Sequence, residues 1–152
     1  MVNNIQAEET KQYVIFTLGK ELYGIDIKKV TTIEKEKQYI ITRVPKSSSF
    51  VKGVINLRGE IIPVIKLRKK FGMNEIEVNE DTRIIIVKIE DISVGLIVDA
   101  VVEVMYISSN SIENVSGLST EIDSSYIQGV GKLEDRIVTL INLPALLNVN
   151  QD

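Results

Sequence analysis

The 152-residue chain has no cysteine and no histidine. Without cysteine there is neither a disulfide frame nor a thiol nucleophile. Without histidine the usual general base, the commonest metal ligand and any phosphohistidine chemistry on this chain are gone too. Asp26, Glu60 and Asp99 are carboxylates near turns, but no nucleophile and base accompany them, so the expectation is a protein that is not an enzyme and uses no cofactor or metal. Concentrated positive charge is also scarce. The net charge is −3, and the one basic run, Lys66, Arg68, Lys69 and Lys70, is short and opens a predicted helix. Aromatics are few, and Tyr13, Phe16, Tyr23, Phe50, Phe71 and Tyr106 are scattered through apolar runs. A nucleic-acid partner, which would want a basic face or stacking aromatics on one, is therefore not expected. No stretch nears the roughly 20 apolar residues of a membrane span, so no direct membrane insertion is expected. Residues 1–11 lack an apolar signal core and read as a flexible tail, which makes the cytoplasm the expected location.

What the chain does contain is a repeat. Residues 53–67 align without gaps on residues 129–143, matching Gly53, Val54, Leu57, Ile61, Ile62, Val64, Ile65 and Leu67 with Gly129, Val130, Leu133, Ile137, Val138, Leu140, Ile141 and Leu143. Each copy reads as a hairpin: two β-branched runs around a polar centre, Arg58-Gly59 in one and Glu134-Asp135 in the other. Helical spacing follows, through Leu67 and Phe71 or through Leu143, Leu146 and Leu147. Upstream, residues 13–33 align on 84–104, bringing Phe16, Leu18, Gly24, Ile25, Val30 and Ile33 onto Val87, Ile89, Gly95, Leu96, Val101 and Val104. Asp26 and Asp99 miss each other by two places, and copy two carries five more residues within 105–128. What both copies share builds the unit, and what only one has is free to specialise.

Ile and Val outnumber Leu and Ala, and short apolar runs are punctuated by Gly, Asn, Asp and Pro, as a strand-rich fold requires. Gly19-Lys20-Glu21 marks a further hairpin turn. The acidic stretch 72–82 reads as the joint between the copies, and residues 108–125, rich in Ser and Asn, read as loop. The expected fold is all-β with short helices: two tandem five-stranded barrels related by internal duplication, at 12–79 and 80–147, followed by a tail at 148–152. Barrel closure removes exposed sheet edges. Gly24, Gly53, Gly95 and Gly129 occur in both copies and read as backbone or packing positions. Pro63, opposite Thr139 in the alignment, is expected at a strand edge or bulge. Copy two builds its turn with Glu134, so the hairpin has no need of arginine at 58, and Arg58 is open to a functional role.

Three runs carry a resemblance. They are Tyr-Val-Ile-Phe-Thr-Leu-Gly-Lys-Glu-Leu-Tyr-Gly-Ile-Asp-Ile-Lys-Lys-Val at 13–30, Phe-Val-Lys-Gly-Val-Ile-Asn-Leu-Arg-Gly-Glu-Ile-Ile-Pro-Val-Ile-Lys-Leu-Arg-Lys-Lys-Phe at 50–71, and Val-Gly-Leu-Ile-Val-Asp-Ala-Val at 94–101. Together they resemble the CheW-like family of bacterial chemotaxis coupling proteins over nearly the whole chain. The resemblance implies that the barrels are SH3-like. It also implies an adaptor that bridges the cytoplasmic hairpin tips of chemoreceptors to the regulatory domain of the histidine kinase CheA, in the cytoplasm at membrane-associated receptor arrays. By spacing alone, Ile27, Val30 and Ile33, like Val98, Val101 and Val104, read as core. The resemblance instead assigns Ile27, Val30, Arg58 and Val101 to the receptor contact, and Thr32, Ile33, Ile41 and Val44 to the kinase contact. Receptor binding would be helix-in-groove recognition, with aliphatic side chains desolvated and a charge fixing orientation. Two alternatives stand beside the free adaptor: a CheW-like regulatory domain of a larger kinase or coupler and, from another class, a small nucleic-acid-binding barrel.

Overall fold

A computed structural model describes residues 9–114 and 123–148. In the first copy the strands are β1 (Thr10–Leu18), β2 (Glu21–Asp26), β3 (Val30–Lys35), β4 (Val51–Leu57) and β5 (Glu60–Lys66), followed by the short helix α1 (Leu67–Lys70). In the second they are β6 (Arg83–Ile89), β7 (Ile92–Val98), β8 (Ala100–Ser108), β9 (Ile112–Glu113), β10 (Ile127–Leu133) and β11 (Arg136–Ile141), followed by α2 (Leu143–Leu147). Apart from β9, every element of copy two falls where the repeat puts it. Even β9 has a rudiment in copy one, because the Thr42–Val54 bridge is the counterpart of the Glu113–Val130 pair.

The hairpins form as read, but the barrels are not the two halves of the chain. Among the described residues one sheet has the order β8-β1-β2-β11-β10-β9 and the other β3-β6-β7-β5-β4. Each sheet takes the first two strands of one copy and the later strands of the other, and the copies meet in the parallel pairs β2–β11 and β7–β5 and in the antiparallel pairs β1–β8 and β3–β6. The expected division at 79/80 is thus crossed: β6 and β7 belong with β3–β5, and β8–β11 belong with β1 and β2. The physical reason is that every hairpin has the same local contacts whichever copy's later strands complete the sheet, so the repeat pattern is silent about the exchange. The 72–82 stretch, expected as a joint between barrels, instead joins α1 to β6 within one of them. It lies as a strap, tied by Arg68 Nη1 donating to Asn74 O (2.7 Å), by Lys66–Glu75 (3.2 Å) and by Lys37–Glu80 (3.2 Å).

The exchange explains the burial pattern. Val14, Phe16 and Leu18 of β1 meet Ile85, Val87 and Ile89 of β6 in the large cluster between the sheets, joined by Tyr23, Ile25, Leu96 and Val98. The other faces of the same strands fill the two smaller interiors, Tyr13 and Ile15 with Ile107, Val138 and Leu140, and Ile84 and Ile86 with Ile55, Ile62 and Val64. β1 and β6 are therefore apolar on both faces, which is why residues 13–18 alternate only weakly. Backbone approach is closest at Gly53, where a Cβ would stand 2.2 Å from the Thr42 carbonyl oxygen.

Four smaller expectations change. β1 begins at Thr10, so residues 10 and 11 are strand rather than tail, while residues 1–8 lie outside the described residues. Asn148 is the left-handed cap of α2, and the rest of the expected C-terminal tail lies outside the described residues. Pro63 sits in β5, which lies between β4 and β7, one residue short of the Val64–Gly95 pair where the ladder with β7 begins; the register shift of its hairpin is at Val51/Gly53 instead. Of the expected loop 108–125, residues 108 and 112–113 are strand and 115–122 lie outside the described residues.

Candidate interaction surfaces

β3 and β8 occupy equivalent places in the two copies, and each is the edge of its sheet. An edge strand leaves half its backbone groups without a ladder partner and is a natural contact element. The turn Ile27–Lys29 leads into β3, capped by Asp26, whose Oδ1 accepts from Lys28 N at 2.9 Å. Val30 then lies opposite Val87, and a register shift separates Val30 from Thr32. On the other edge Val101 lies opposite Phe16. Ile27, Val30 and Val101 are all half-buried and pack against the inter-sheet cluster, so each has one side on the core and one open. Further along the same edges the aliphatics emerge: Ile33 is 37% exposed and its counterpart Val104 45%, whereas Val98 is buried at 1%. The core reading holds for Val98 and fails for Val104.

Arg58 stands elsewhere. It occupies the tight β4–β5 turn with φ 50°, followed by Gly59 at φ 87°, and Gly59 N donates to Asn56 Oδ1 at 2.9 Å. Glu134 adopts φ 56° in the equivalent turn, so the same backbone demand is met by a side chain of opposite charge. Arg58 is exposed, and its field reaches Tyr39. The Tyr39 hydroxyl donates to Glu34 Oε1 and Thr32 Oγ1 donates to Glu34 Oε2, each at 2.8 Å. Burial and the Glu34 carboxylate push the Tyr39 phenol up, against the pull of the Arg58 charge. The structure therefore gathers Ile27, Val30 and Val101 around one cluster and associates Arg58 with the Thr32–Glu34–Tyr39 group. Sequence reasoning missed Glu34 and Tyr39; the alternation Thr32, Glu34 on an edge strand was the available signal.

Of the residues assigned to the kinase contact, Ile33 and Val44 are exposed, Val44 at 41%, while Ile41 packs on the interior cluster formed by Ile55, Leu57 and Ile84. The Thr32 hydroxyl is engaged by Glu34.

Two polar knots hold the frame behind these surfaces. Asp99 accepts from Arg68 Nε (2.8 Å), from Arg68 Nη2 (2.7 Å) and from Gly19 N (2.7 Å). Partial burial pushes the Asp99 carboxyl up, but the hydrogen bonds from Arg68 and Gly19 outweigh it and hold the group below the ordinary aspartate value. Asp26 caps a turn while Asp99 ties the β1–β2 turn to α1, so their near-match in the repeat is not a shared role. The second knot is Glu36, buried at 4%, which accepts from Lys52 through Oε2 and whose Oε1 has no hydrogen-bond partner among the described residues.

The family model for the CheW-like domain matches residues 12–151. The chain belongs to the CheW-like family. Chemotaxis protein CheW of Bacillus subtilis is 40% identical over 139 residues, covering 91% of this chain and 86% of the relative. Chemotaxis protein CheW of Klebsiella aerogenes is 36% identical over 138 residues, covering 91% and 82%. The crystal structure of the scaffolding protein TtCheW from Thermoanaerobacter tengcongensis superposes with a TM-score of 0.85 at 44% identity, covering 95% of this chain and 97% of that one. The exchanged sheets are accordingly the two SH3-like barrels of a chemotaxis scaffold. No helix among the described residues is long and apolar enough to cross a membrane.

Proposed function

We propose that this CheW-like chain couples chemoreceptor cytoplasmic tips to the regulatory domain of the kinase CheA, without catalysis of its own, and is recruited through those partners to membrane-associated receptor arrays. The receptor hairpin packs on Ile27, Val30 and Val101; the kinase domain contacts Thr32, Ile33, Ile41 and Val44. The observation that carries the reading is the half-burial of Val30 and Val101 on the two edge strands and of Ile27 in the turn that leads into β3: each is braced from behind by the inter-sheet cluster and keeps an aliphatic side free to be desolvated. Arg58, exposed at its turn and felt by Tyr39, supplies an orienting charge to the receptor from beside the Thr32–Glu34–Tyr39 group. A pull-down of kinase and receptor tip with the chain present or omitted tests the proposal. Ternary capture only with the chain present supports it, and capture of kinase by receptor unchanged by its omission overturns it.

A further inference from the structure

The connection between β3 and β4 walls a cavity of about 350 Å³ whose charge contradicts that of the whole molecule. Arg43, Lys46, Lys52 and Lys66 line it and no carboxylate does, on a chain of net charge −3. Two of the four cations are already committed, Lys52 to Glu36 and Lys66 to Glu75. Arg43 and Lys46 have no carboxylate partner among the described residues, so their charge is available to a visitor. Ser48 and Ser49 add hydroxyl donors, while Ser47 Oγ donates to Val44 O at 2.8 Å and helps shape the loop. The loop is held at both ends: Thr42 and Val54 exchange backbone hydrogen bonds of 2.9 and 2.8 Å, and Lys66 N donates to Phe50 O at 2.7 Å. The positive charge is thus presented on an anchored loop.

We infer that this cavity is a docking site for an acidic, Asp/Glu-bearing segment of a protein partner. Free phosphate fits less well, because the volume exceeds what one oxyanion fills and because Ile41, Val44 and Val51 offer an aliphatic wall that an inorganic ion cannot use. Ile41 and Val44 are also residues of the proposed kinase contact. The inference deepens that reading and rests on it for the partner's identity: the kinase face that meets Ile41 and Val44 brings carboxylates to Arg43 and Lys46.

The test is binding of the CheA regulatory domain to the full chain over a salt series, for wild type, the double variant Arg43→Glu/Lys46→Glu and the remote control Lys88→Glu. Both loop residues are exposed, so the fold is retained. The double reversal is expected to weaken kinase binding about tenfold at low salt and to flatten its salt dependence, while receptor-tip binding and the control variant are unchanged. Equal affinity and equal salt dependence for the double variant and wild type would overturn the inference. If wild type does not bind the kinase domain at all, the coupling proposal fails, and a hexaglutamate peptide then decides the cavity by itself. Saturable peptide binding abolished by the double reversal upholds the site, and its absence overturns it. Inorganic phosphate binding as tightly as the peptide would overturn the assignment to a protein segment.

Discussion

The same place in the two barrels is filled in opposite ways. Glu36 in copy one and Ile107 in copy two are counterparts: Glu36 N bonds the Thr82 carbonyl, and Ile107 lies opposite Lys11, the residue aligned with Thr82. Both are buried, at 4% and 1%. Lys52 balances the glutamate, and the residue aligned with Lys52 is the uncharged Gln128. The Arg68–Asp99 tie is just as one-sided, since its aligned positions hold Pro144 and Lys28. The frame therefore needs burial at the Glu36/Ile107 position but not charge. Charge has accumulated in the barrel of β3–β7, beneath the strap and beside the Arg43–Lys46 loop, while the other barrel keeps an apolar interior.

That contrast can be broken most severely at Lys52. Lys52→Gln copies the other barrel at one position only and leaves the buried Glu36 carboxylate without its countercharge, at a cost of about 3 kcal/mol. Adding Glu36→Ile completes the copy and should recover most of the loss, because a buried pair is replaced by matched apolar volume. Chemical denaturation of both variants measures the coupling; a double variant no more stable than the single would show that the two barrels do not share packing at this site.

Asp99 gives the next effect. Its carboxyl is held below the ordinary value, so its contribution is present at neutral pH, above the unfolded carboxyl pKa of about 4, and is lost as pH falls through the lower folded value. Asp99→Asn should cost about 1.5 kcal/mol at pH 7 and make the acid side of the stability profile shallower. Thermal melts between neutral and acid pH decide this, and an unchanged acid slope would remove Asp99 from the account.

The smallest effect is expected at the paired turns. Arg58→Glu gives copy one the charge that copy two carries at Glu134, so the fold should tolerate it, while receptor coupling falls by about 1 kcal/mol, most at low salt. Glu134→Arg should leave coupling nearly intact. Equal losses in the two variants, measured as receptor-dependent kinase activity, would exclude a special role for Arg58.

The hairpins were legible because their β-branched runs and turn residues are local, and the repeat located nearly every element of copy two from copy one. Strand exchange was not, because it changes which hairpin sits beside which without altering a contact inside any of them. The double-faced apolar runs of β1 and β6 were its trace, since a strand facing one barrel interior alone would have alternated more cleanly. Val30 and Val101 illustrate the same limit at the site: spacing marked them as apolar, and only the register opposite Val87 and Phe16 places them half-open on the two sheet edges. Glu34 and Tyr39 escaped notice because their link to Thr32, and the reach of Arg58 to Tyr39, run through space.

The central claim is that the two edge strands carry receptor control to the kinase. It is tested most directly by measuring receptor-dependent kinase activity in a reconstituted array with wild type, Val30→Asp, Val101→Asp or no added chain. Each substitution puts a carboxylate where a dry contact is needed, at about 2 kcal/mol, or roughly thirtyfold in receptor affinity. The account predicts that receptor control falls with both variants, and is absent without the chain, while each variant still melts cooperatively and still binds the kinase domain. Receptor control equally strong in all four reactions would contradict it.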